Sequence, residues 1–463
     1  MSTPVADEDG LSGPKLISAV ITVVIAVAMA SLDTSIANTA LPTIAADLNA
    51  SPADSVWVVN AYQLALVVSL LPCASLGEII GYRRVYVWGV AVFTVASLLC
   101  ALSWSLPTLT VARIIQGFGA SGIMSVNTAL IRFIYPSRSL GRGVGNNALV
   151  VAVSTAIGPT VAAGILSMGT WQWLFAVNVP LGLVAFVLAL RVLPETRRAS
   201  HRFDFGSAAL NAATFGLLIF GIGEAAHSAN LMVTLGALAV AFASGGALIY
   251  RQLGLPAPML PVDLYRRPMF ALSSLTSLCS FAAQGLAFVS LPFYFQTVLG
   301  FSAVETGLLL TPWPVMTAIA APIAGPLSDR FPPAILGGTG LAILCVGLAL
   351  VASLPAHPGV SGIIWRMMIC GAGFGFFQSP NLKAIMSSAP PERSGGASGI
   401  VATSRLVGQA IGAALVALCF GISMRNGPSL ALALAAAFSA GGSVVSFSRL
   451  AAKPFKAPVR KAA

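Results

Sequence analysis

Long runs of apolar residues, separated by short polar segments, cover almost the whole chain. A helix that crosses a bilayer needs about 20 consecutive and mostly apolar residues. The runs therefore predict fourteen membrane helices, which group as six, two and six. They lie near 16–40, 55–76, 84–104, 106–131, 143–167, 172–193, 205–225, 230–250, 269–297, 303–326, 334–354, 361–387, 396–422 and 428–448.

Composition supports an all-α membrane protein. Of the 463 residues, only 8% are charged and 57% are hydrophobic, whereas about a quarter of a soluble domain is charged. The net charge of +11 is spread over short clusters between apolar runs. It does not form one basic face, so a nucleic-acid partner is not expected.

The basic residues also predict an orientation. Cytoplasmic loops are enriched in Lys and Arg, and with both termini inside, all but four of the 25 basic residues lie in or beside cytoplasmic segments. The exceptions are Arg425, outside, and Arg113, Arg366 and Arg405, within helices. The acidic N-terminus lacks a basic signal-peptide region. We therefore expect a multi-pass protein of a bacterial plasma membrane whose first helix is retained.

Short motifs recur at an offset of about 250 residues. Leu41-Pro42 reappears as Leu291-Pro292, Glu78 aligns with Asp329, and Arg113 aligns loosely with Arg366. This predicts two parallel six-helix repeats with a helix pair inserted between them, and a substrate site between the halves. The expected segments are a tail, the first half, the inserted pair with its linkers, the second half and a basic tail: 1–15, 16–193, 194–268, 269–448 and 449–463.

Several motifs carry a family resemblance. The stretches "LDTSIANTALP", "WVVNAYQLA" and "LTVARIIQGFGA" resemble the first, second and fourth helices of the fourteen-helix drug:proton antiporters of the major facilitator superfamily. The resemblance covers essentially the whole chain. It implies a monomeric secondary transporter whose partners are a small-molecule substrate, protons and the lipid bilayer, with no cofactor and no metal.

The same resemblance assigns two further groups of residues. It implies that the loops after the second helix of each half act in conformational exchange, and that the fifth helix carries an antiporter motif. The loop residues are Glu78, Gly81, Arg83, Arg84, Asp329 and Arg330, and the helix residues are Gly158 and Pro159.

Asp33 and Arg113 are the candidate proton-coupling residues. Asp33 lies about 25 Å along its helix, in the outer half of the membrane, and it aligns with Gln284 in the second half. The repeat therefore does not require an acid there. Arg113 costs about 2.5–3.5 kcal/mol to insert into a membrane. The alternatives are a helix-packing hydrogen bond for Asp33 and a structural contact with carbonyl groups for Arg113.

Polar and aromatic residues within the helices are candidates for a substrate cavity. Aromatic rings bind flat cations by stacking and cation–π contacts, although the same residues also serve in helix packing and interface belts. The candidates are Trp57, Tyr62, Gln63, Gln284, Trp313 and Gln378.

Enzyme activity is not expected, because the chain has no P-loop, HExxH or GxSxG motif and its three histidines fall in predicted loops. The first hypothesis is proton-coupled export of small amphipathic or cationic compounds by alternating access. The alternative is a carrier dedicated to one metabolite or vitamin, such as a flavin-like aromatic nutrient, working in either direction. A membrane-embedded enzyme or sensor is a remote third reading.

Overall fold

The computed structural model describes residues 10–136, 139–196, 198–199, 203–225, 231–253, 262–355, 357–389, 394–423 and 426–451. Within these ranges fourteen helices are long and apolar enough to cross a membrane, as the hydrophobic pattern predicts. In chain order, α1 to α14 are Gly13–Asp47, Pro52–Ile80, Tyr82–Ala101, Leu106–Ile134, Arg142–Met168, Trp173–Val192, Phe205–Glu224, Leu231–Leu253, Pro268–Val298, Ala303–Arg330, Pro333–Ala352, Val360–Ser388, Gly396–Ile422 and Gly427–Ser448.

Most helix ends agree with the sequence pattern to within a few residues. The main difference is α1, which continues to Asp47 instead of ending near residue 40. Pro42 does not interrupt it, and Leu41, Ile44 and Ala45 are buried in the core. Packing of this last part of α1 therefore compensates for the hydrogen bond that Pro42 cannot donate.

The helices pack as two copies of one six-helix arrangement. In the first half, α2 and α3 pack on α4, α1 packs on α5 and α6, and α3 packs on α6. The same pairs recur eight helices later: α10 and α11 on α12, α9 on α13 and α14, and α11 on α14. The halves meet through α1 with α9, α2 with α13 and α5 with α10. This confirms the predicted parallel repeats.

The inserted pair packs against the outside of this two-fold arrangement. α7 contacts α8, and it also contacts α2 of the first half and α13 of the second. Asn211 on α7 donates to the carbonyl of Val68 on α2 at 2.8 Å. Phe220, also on α7, lies 6.4 Å from the ring of Trp57. Both contacts attach α7 to the first half.

The two ends of the bundle are packed differently. One apolar core joins both halves at the end away from the chain termini, and it includes Leu41 of α1, Phe295 of α9 and Leu432 of α14. Nearer the termini the cores are separate, one formed mainly by the first half and a small one by the second. Any cavity between the halves is therefore closed at the end away from the termini.

The last helix carries a buried cation at its end. Arg449 was assigned from sequence to a basic tail, yet its side chain is buried. It donates to the side chains of Ser273 at 3.0 Å and Asn381 at 2.7 Å and also contacts Ser446. Arg449 thus joins α14 to α9 and α12. The other proposed segment boundaries stay predictions, and residues 1–9 and 452–463 lie outside the described part.

A buried ion pair beside a central cavity

Asp33 and Arg113, 80 residues apart in sequence, form a buried ion pair. Nη1 of Arg113 donates to Oδ2 of Asp33 at 2.5 Å, and the side chains are 0% and 1% exposed. The other carboxylate oxygen accepts from Nε2 of Gln116 at 2.8 Å and from Nδ2 of Asn178 at 3.1 Å. All three neighbours are donors, so both carboxylate oxygens of Asp33 have hydrogen-bond partners. Asp33 lies 20 residues after the start of α1 and 14 before its end.

Arg113 has contacts that do not depend on Asp33. Its Nε donates to the carbonyl of Val58 at 3.0 Å, and its Nη1 also donates to Oε1 of Gln116 at 2.6 Å. The guanidinium carbon lies 4.2 Å from the ring centre of Tyr62, in cation–π geometry. Gly117 allows α4 to approach α2 this closely, because a Cβ at Gly117 would lie 2.5 Å from the carbonyl oxygen of Tyr62. Arg113 would therefore keep partners if Asp33 were protonated.

A cavity lies between the halves, with about 720 Å³ of empty space including its opening to solvent. Both halves contribute to its wall, which is largely polar on α1 and carries an arginine and two amides on α9 and α13. The polar lining residues are Ser31, Thr34, Ser35, Asn38, Thr39, Tyr62, Thr155, Gln284, Arg405 and Gln409. No acidic residue is among the lining residues in the described chain.

Tyr62 separates the ion pair from the cavity. It lines the cavity, while the Arg113 guanidinium lies against its ring. Asp33 and Arg113 are not among the lining residues. A substrate in this conformation would therefore touch Tyr62 and not the carboxylate of Asp33.

The structure separates the six predicted cavity residues. Tyr62 and Gln284 line the cavity, whereas Trp313 is buried behind the lining residue Phe288, 5.1 Å away between ring centres. Trp57, Gln63 and Gln378 are not in its wall. On a helix, Trp57 and Gln63 are turned about 140° and 100° away from Tyr62, which explains why all three cannot share one face. Trp57 packs on α7 instead, Gln63 is buried, and Gln378 is half-buried on α12.

Gly158 and Pro159 lie where α5 meets α1 and α10. A Cβ at Gly158 would lie 2.3 Å from Oγ of Ser35, and one at Gly307 would lie 2.4 Å from the carbonyl oxygen of Pro159. Small residues of this kind allow close helix approach. The antiporter-motif residues thus occupy a tight crossing that includes a contact between the halves.

The predicted conformational loops hold charged pairs of different composition. In the first half Arg83 pairs with Glu195 at 2.5 Å and donates to the carbonyl of Leu190. In the second half Asp329 pairs with Lys383. Gly81 has a φ of 103°, which favours glycine, at the turn between α2 and α3. The carbonyl of Glu78 accepts from the backbone of Ala199, while Arg84 and Arg330 are exposed.

Sequence reasoning did not propose most of the polar residues that the structure places at these sites, and four of them matter for the chemistry. Gln116 and Asn178 bind Asp33, and Arg405 and Gln409 line the cavity. Each lies within an apolar run, which was the available signal. Arg405 and Gln409 are four residues apart, one helical turn, so they share a face of α13.

Two similar helix bundles around a central polar cavity form the arrangement that is typical of secondary transporters. The family model for the Major Facilitator Superfamily matches residues 23–413, and the chain belongs to that superfamily. It is therefore a secondary transporter, and its relatives are transporters, not enzymes.

Curated relatives differ in what they carry. An uncharacterized transporter, YebQ, of Escherichia coli (strain K12) is 56% identical and covers 94% of this chain and 95% of its own. The riboflavin transporter RibZ of Clostridioides difficile (strain 630) is 30% identical, covering 87% and 88%. The tetracenomycin C resistance and export protein of Streptomyces glaucescens is 32% identical, covering 89% and 77%.

The fold also matches solved structures. A bacterial homolog of the human lysosomal transporter Spinster, solved in an inward-facing and unoccupied conformation, superposes with a TM-score of 0.69. It is 16% identical and covers 94% of this chain and 97% of its own. This likeness supports the fold alone.

Proposed function

We propose that this protein is a proton-coupled exporter of small amphipathic compounds in a bacterial plasma membrane, working by alternating access as a monomer. The observation that carries the proposal is the buried Asp33–Arg113 pair, in contact with a cavity wall through Tyr62. An ionisable pair inside a membrane protein is a candidate proton site. The export protein among the relatives supports the direction.

The geometry suggests how coupling would work. Protonation of Asp33 removes the charge that holds Nη1 of Arg113, while Val58 and Gln116 keep the guanidinium in place. A change in the position or charge balance of Arg113 would change its contact with the ring of Tyr62. Tyr62 is both the cation–π partner of Arg113 and a residue of the cavity wall. Proton and substrate would thus influence each other through Tyr62 without sharing a binding atom.

Uptake into everted membrane vesicles tests the proposal. Vesicles energised by respiration should accumulate a fluorescent amphipathic dye, and an uncoupler should abolish the accumulation. Vesicles without the transporter provide the control. Dye accumulation that is equal with and without the uncoupler would reject proton coupling.

A carrier dedicated to one metabolite is the second candidate, supported by the riboflavin transporter among the relatives. Competition in the same vesicles separates the two. Broad competition by unrelated amphipathic compounds supports a multidrug exporter. If one compound, such as riboflavin, competes for uptake and the other compounds do not, the result supports the dedicated carrier.

Asp329 is proposed to act in conformational exchange. Its partner Lys383 lies on α12 and also donates to the carbonyl of Ser328, so the pair ties the end of α10 to α12. Asp329→Asn should slow transport while leaving equilibrium binding nearly unchanged, because the pair is far along α10 from the cavity. The reversed pair, Asp329→Lys with Lys383→Asp, should recover part of the rate. An unchanged rate in Asp329→Asn at normal expression contradicts this role.

Both termini are proposed to be cytoplasmic, as the distribution of basic residues predicts. Single cysteines introduced at Arg198 and His357, in a background without the six native cysteines, should react with an impermeant thiol reagent from opposite sides. With this orientation the end closed by the shared apolar core faces outside, so the described conformation is inward-facing. Labelling of both cysteines from outside in intact cells would refute it.

A further inference from the structure

An unpaired arginine in the wall of the central cavity indicates the charge of the substrate. Among the described residues that line the cavity, Arg405 is the only lysine or arginine, and none is acidic. Its Nε is buried and has no hydrogen-bond partner in the described chain. Within the part of the chain that the structure describes, Arg405 forms no ion pair, in contrast to Arg113.

A membrane interior makes such an arginine unusual. Placing its charge there costs about 2.5–3.5 kcal/mol on insertion scales, and charged groups in membrane helices normally pair with each other or with carbonyls. Arg366 differs from Arg405 in that its Nη1 donates to the carbonyl of Gly362 one turn away at 2.7 Å, although its Nε is also buried without a partner in the described residues. Arg405 faces the space where a substrate would bind.

Neighbouring groups extend the site. Gln409 donates to Oε1 of Gln284 at 2.9 Å, which leaves the amide nitrogen of Gln284 as a donor. Oγ of Ser31 and Oδ1 of Asn38, both on cavity-lining residues, are buried without partners in the described residues. Apolar wall is provided by Leu66, Phe288 and Leu310. The guanidinium of Arg405, the amide nitrogen of Gln284 and the hydroxyl of Ser31 are donors in one cavity wall that match an anionic group, whereas Oδ1 of Asn38 is an acceptor that suits a donor elsewhere on the substrate. The apolar wall matches a hydrocarbon or aromatic body.

We propose that the substrate is an amphipathic organic anion whose carboxylate, or similar anionic group, binds Arg405. This deepens the proposed function and rests on it for the assignment of the cavity as the substrate site. It also replaces the cationic preference expected from sequence, because a cation in this cavity would meet Arg405 and find no carboxylate in the wall. The Asp33 carboxylate lies behind Tyr62 and is already occupied by three donors.

Three probes with one ring system and different charges test the proposal: 2-naphthoate, 2-naphthamide and a trimethylammonium derivative of naphthalene. Binding to the purified full-length protein in lipid nanodiscs is measured at equilibrium, without a proton gradient. Naphthoate should bind at least about tenfold more tightly than the amide, because a hydrogen bond to a charged group is stronger than a neutral one. The cation should bind weakest.

Variants locate the effect. Arg405→Gln should abolish the preference for naphthoate over naphthamide, and Arg405→Lys should keep most of it. Arg366→Gln is the matched control, because it removes an in-helix arginine outside the cavity wall, and it should leave the preference unchanged. Thermal unfolding of each variant establishes that it is folded before binding is compared.

Several results would overturn the proposal: tighter binding of the cation, no binding of naphthoate to the wild type, or an anion preference that survives in a folded Arg405→Gln variant. Displacement of naphthoate by inorganic phosphate alone would assign Arg405 to a simple anion instead. Binding is measured without a proton gradient, so the two proposals can fail separately. If the wild-type protein binds naphthoate through Arg405 but shows no proton-driven transport, the proposed function is rejected and this inference stands.

Discussion

Replacing Asp33 by Asn is the most informative single change in this protein. Asp33 presents two acceptor oxygens to three donors: Arg113 at 2.5 Å, and Gln116 and Asn178 at 2.8 and 3.1 Å. Asparagine has one acceptor oxygen and one donor amide. Arg113 has no acceptor, so the Asn oxygen should turn towards it. The new amide then faces the donors of Gln116 and Asn178.

The stability cost follows from this geometry. Removing one partner of a buried ion pair typically destabilises by about 3–5 kcal/mol, because the other charge is left uncompensated. Gln116 could rotate its amide to accept, but it would lose its bond to Ser97 at 3.0 Å and its oxygen would no longer accept from Arg113. Asp33→Asn should therefore unfold at a clearly lower temperature than the wild type. The double variant Asp33→Asn with Arg113→Gln should regain more than half of that loss.

Transport should respond differently from stability. Both variants lack the carboxylate that we propose carries the proton, so both should lose uphill, proton-driven transport while still exchanging substrate across the membrane in counterflow. Unfolding can be followed with a thiol-reactive dye, because Cys100, Cys370 and Cys419 are buried. Wild-type uphill transport in Asp33→Asn would refute the coupling role. Recovery of uphill transport in the double variant would show that only the balance of charge matters.

Two further predictions concern packing and pH. Gly158→Ala should slow transport because its Cβ would lie 2.3 Å from Oγ of Ser35, and adding Ser35→Gly should restore the transport rate. Gly164→Ala is the control, because a Cβ at Gly164 would have nothing within 4 Å. It should be neutral, or stabilise the protein by about 0.5–1 kcal/mol in thermal unfolding. The second concerns Asp204 before α7, whose pKa is lowered from 3.8 to about 2, chiefly by its hydrogen bond with Arg251 on α8. This contact should stabilise the protein above pH 3.8, and the stabilisation should be lost as the pH falls towards 2. Asp204→Asn keeps a side-chain oxygen for the helix cap but cannot lose a proton. It should therefore remove this pH dependence of the thermal unfolding temperature.

The sequence predicted the helices and their repeat because both follow from local composition and from spacing along the chain. Apolar runs of sufficient length form membrane helices whatever their neighbours, since lipid leaves no other partner for the backbone. The contact between Asp33 and Arg113 is of another kind. It depends on how α1 crosses α4, which no periodicity within either helix determines.

The cavity was harder to predict for a related reason. A helix that is apolar all round gives no signal about which face meets lipid and which meets a cavity. Tyr62 and Trp57 were therefore equivalent candidates, and only the packing of α7 distinguishes them. Arg405 was noticed as an arginine within a helix, but its importance comes from the absence of an acid among the described residues of the cavity wall, which seven helices form.

The position of α7 gives this carrier two unlike flanks. Where α2 meets α13, α7 packs over the junction between the halves and is attached to α2 through Asn211. On the opposite flank α5 meets α10, and neither helix of the inserted pair is among the described helices that pack on them. A rocking motion of the halves would make α13 slide along α7, while α5 and α10 separate directly into lipid. In such a motion a membrane-dissolved compound would meet only α5 and α10 on one flank, whereas on the other flank it would meet α7 in front of the junction.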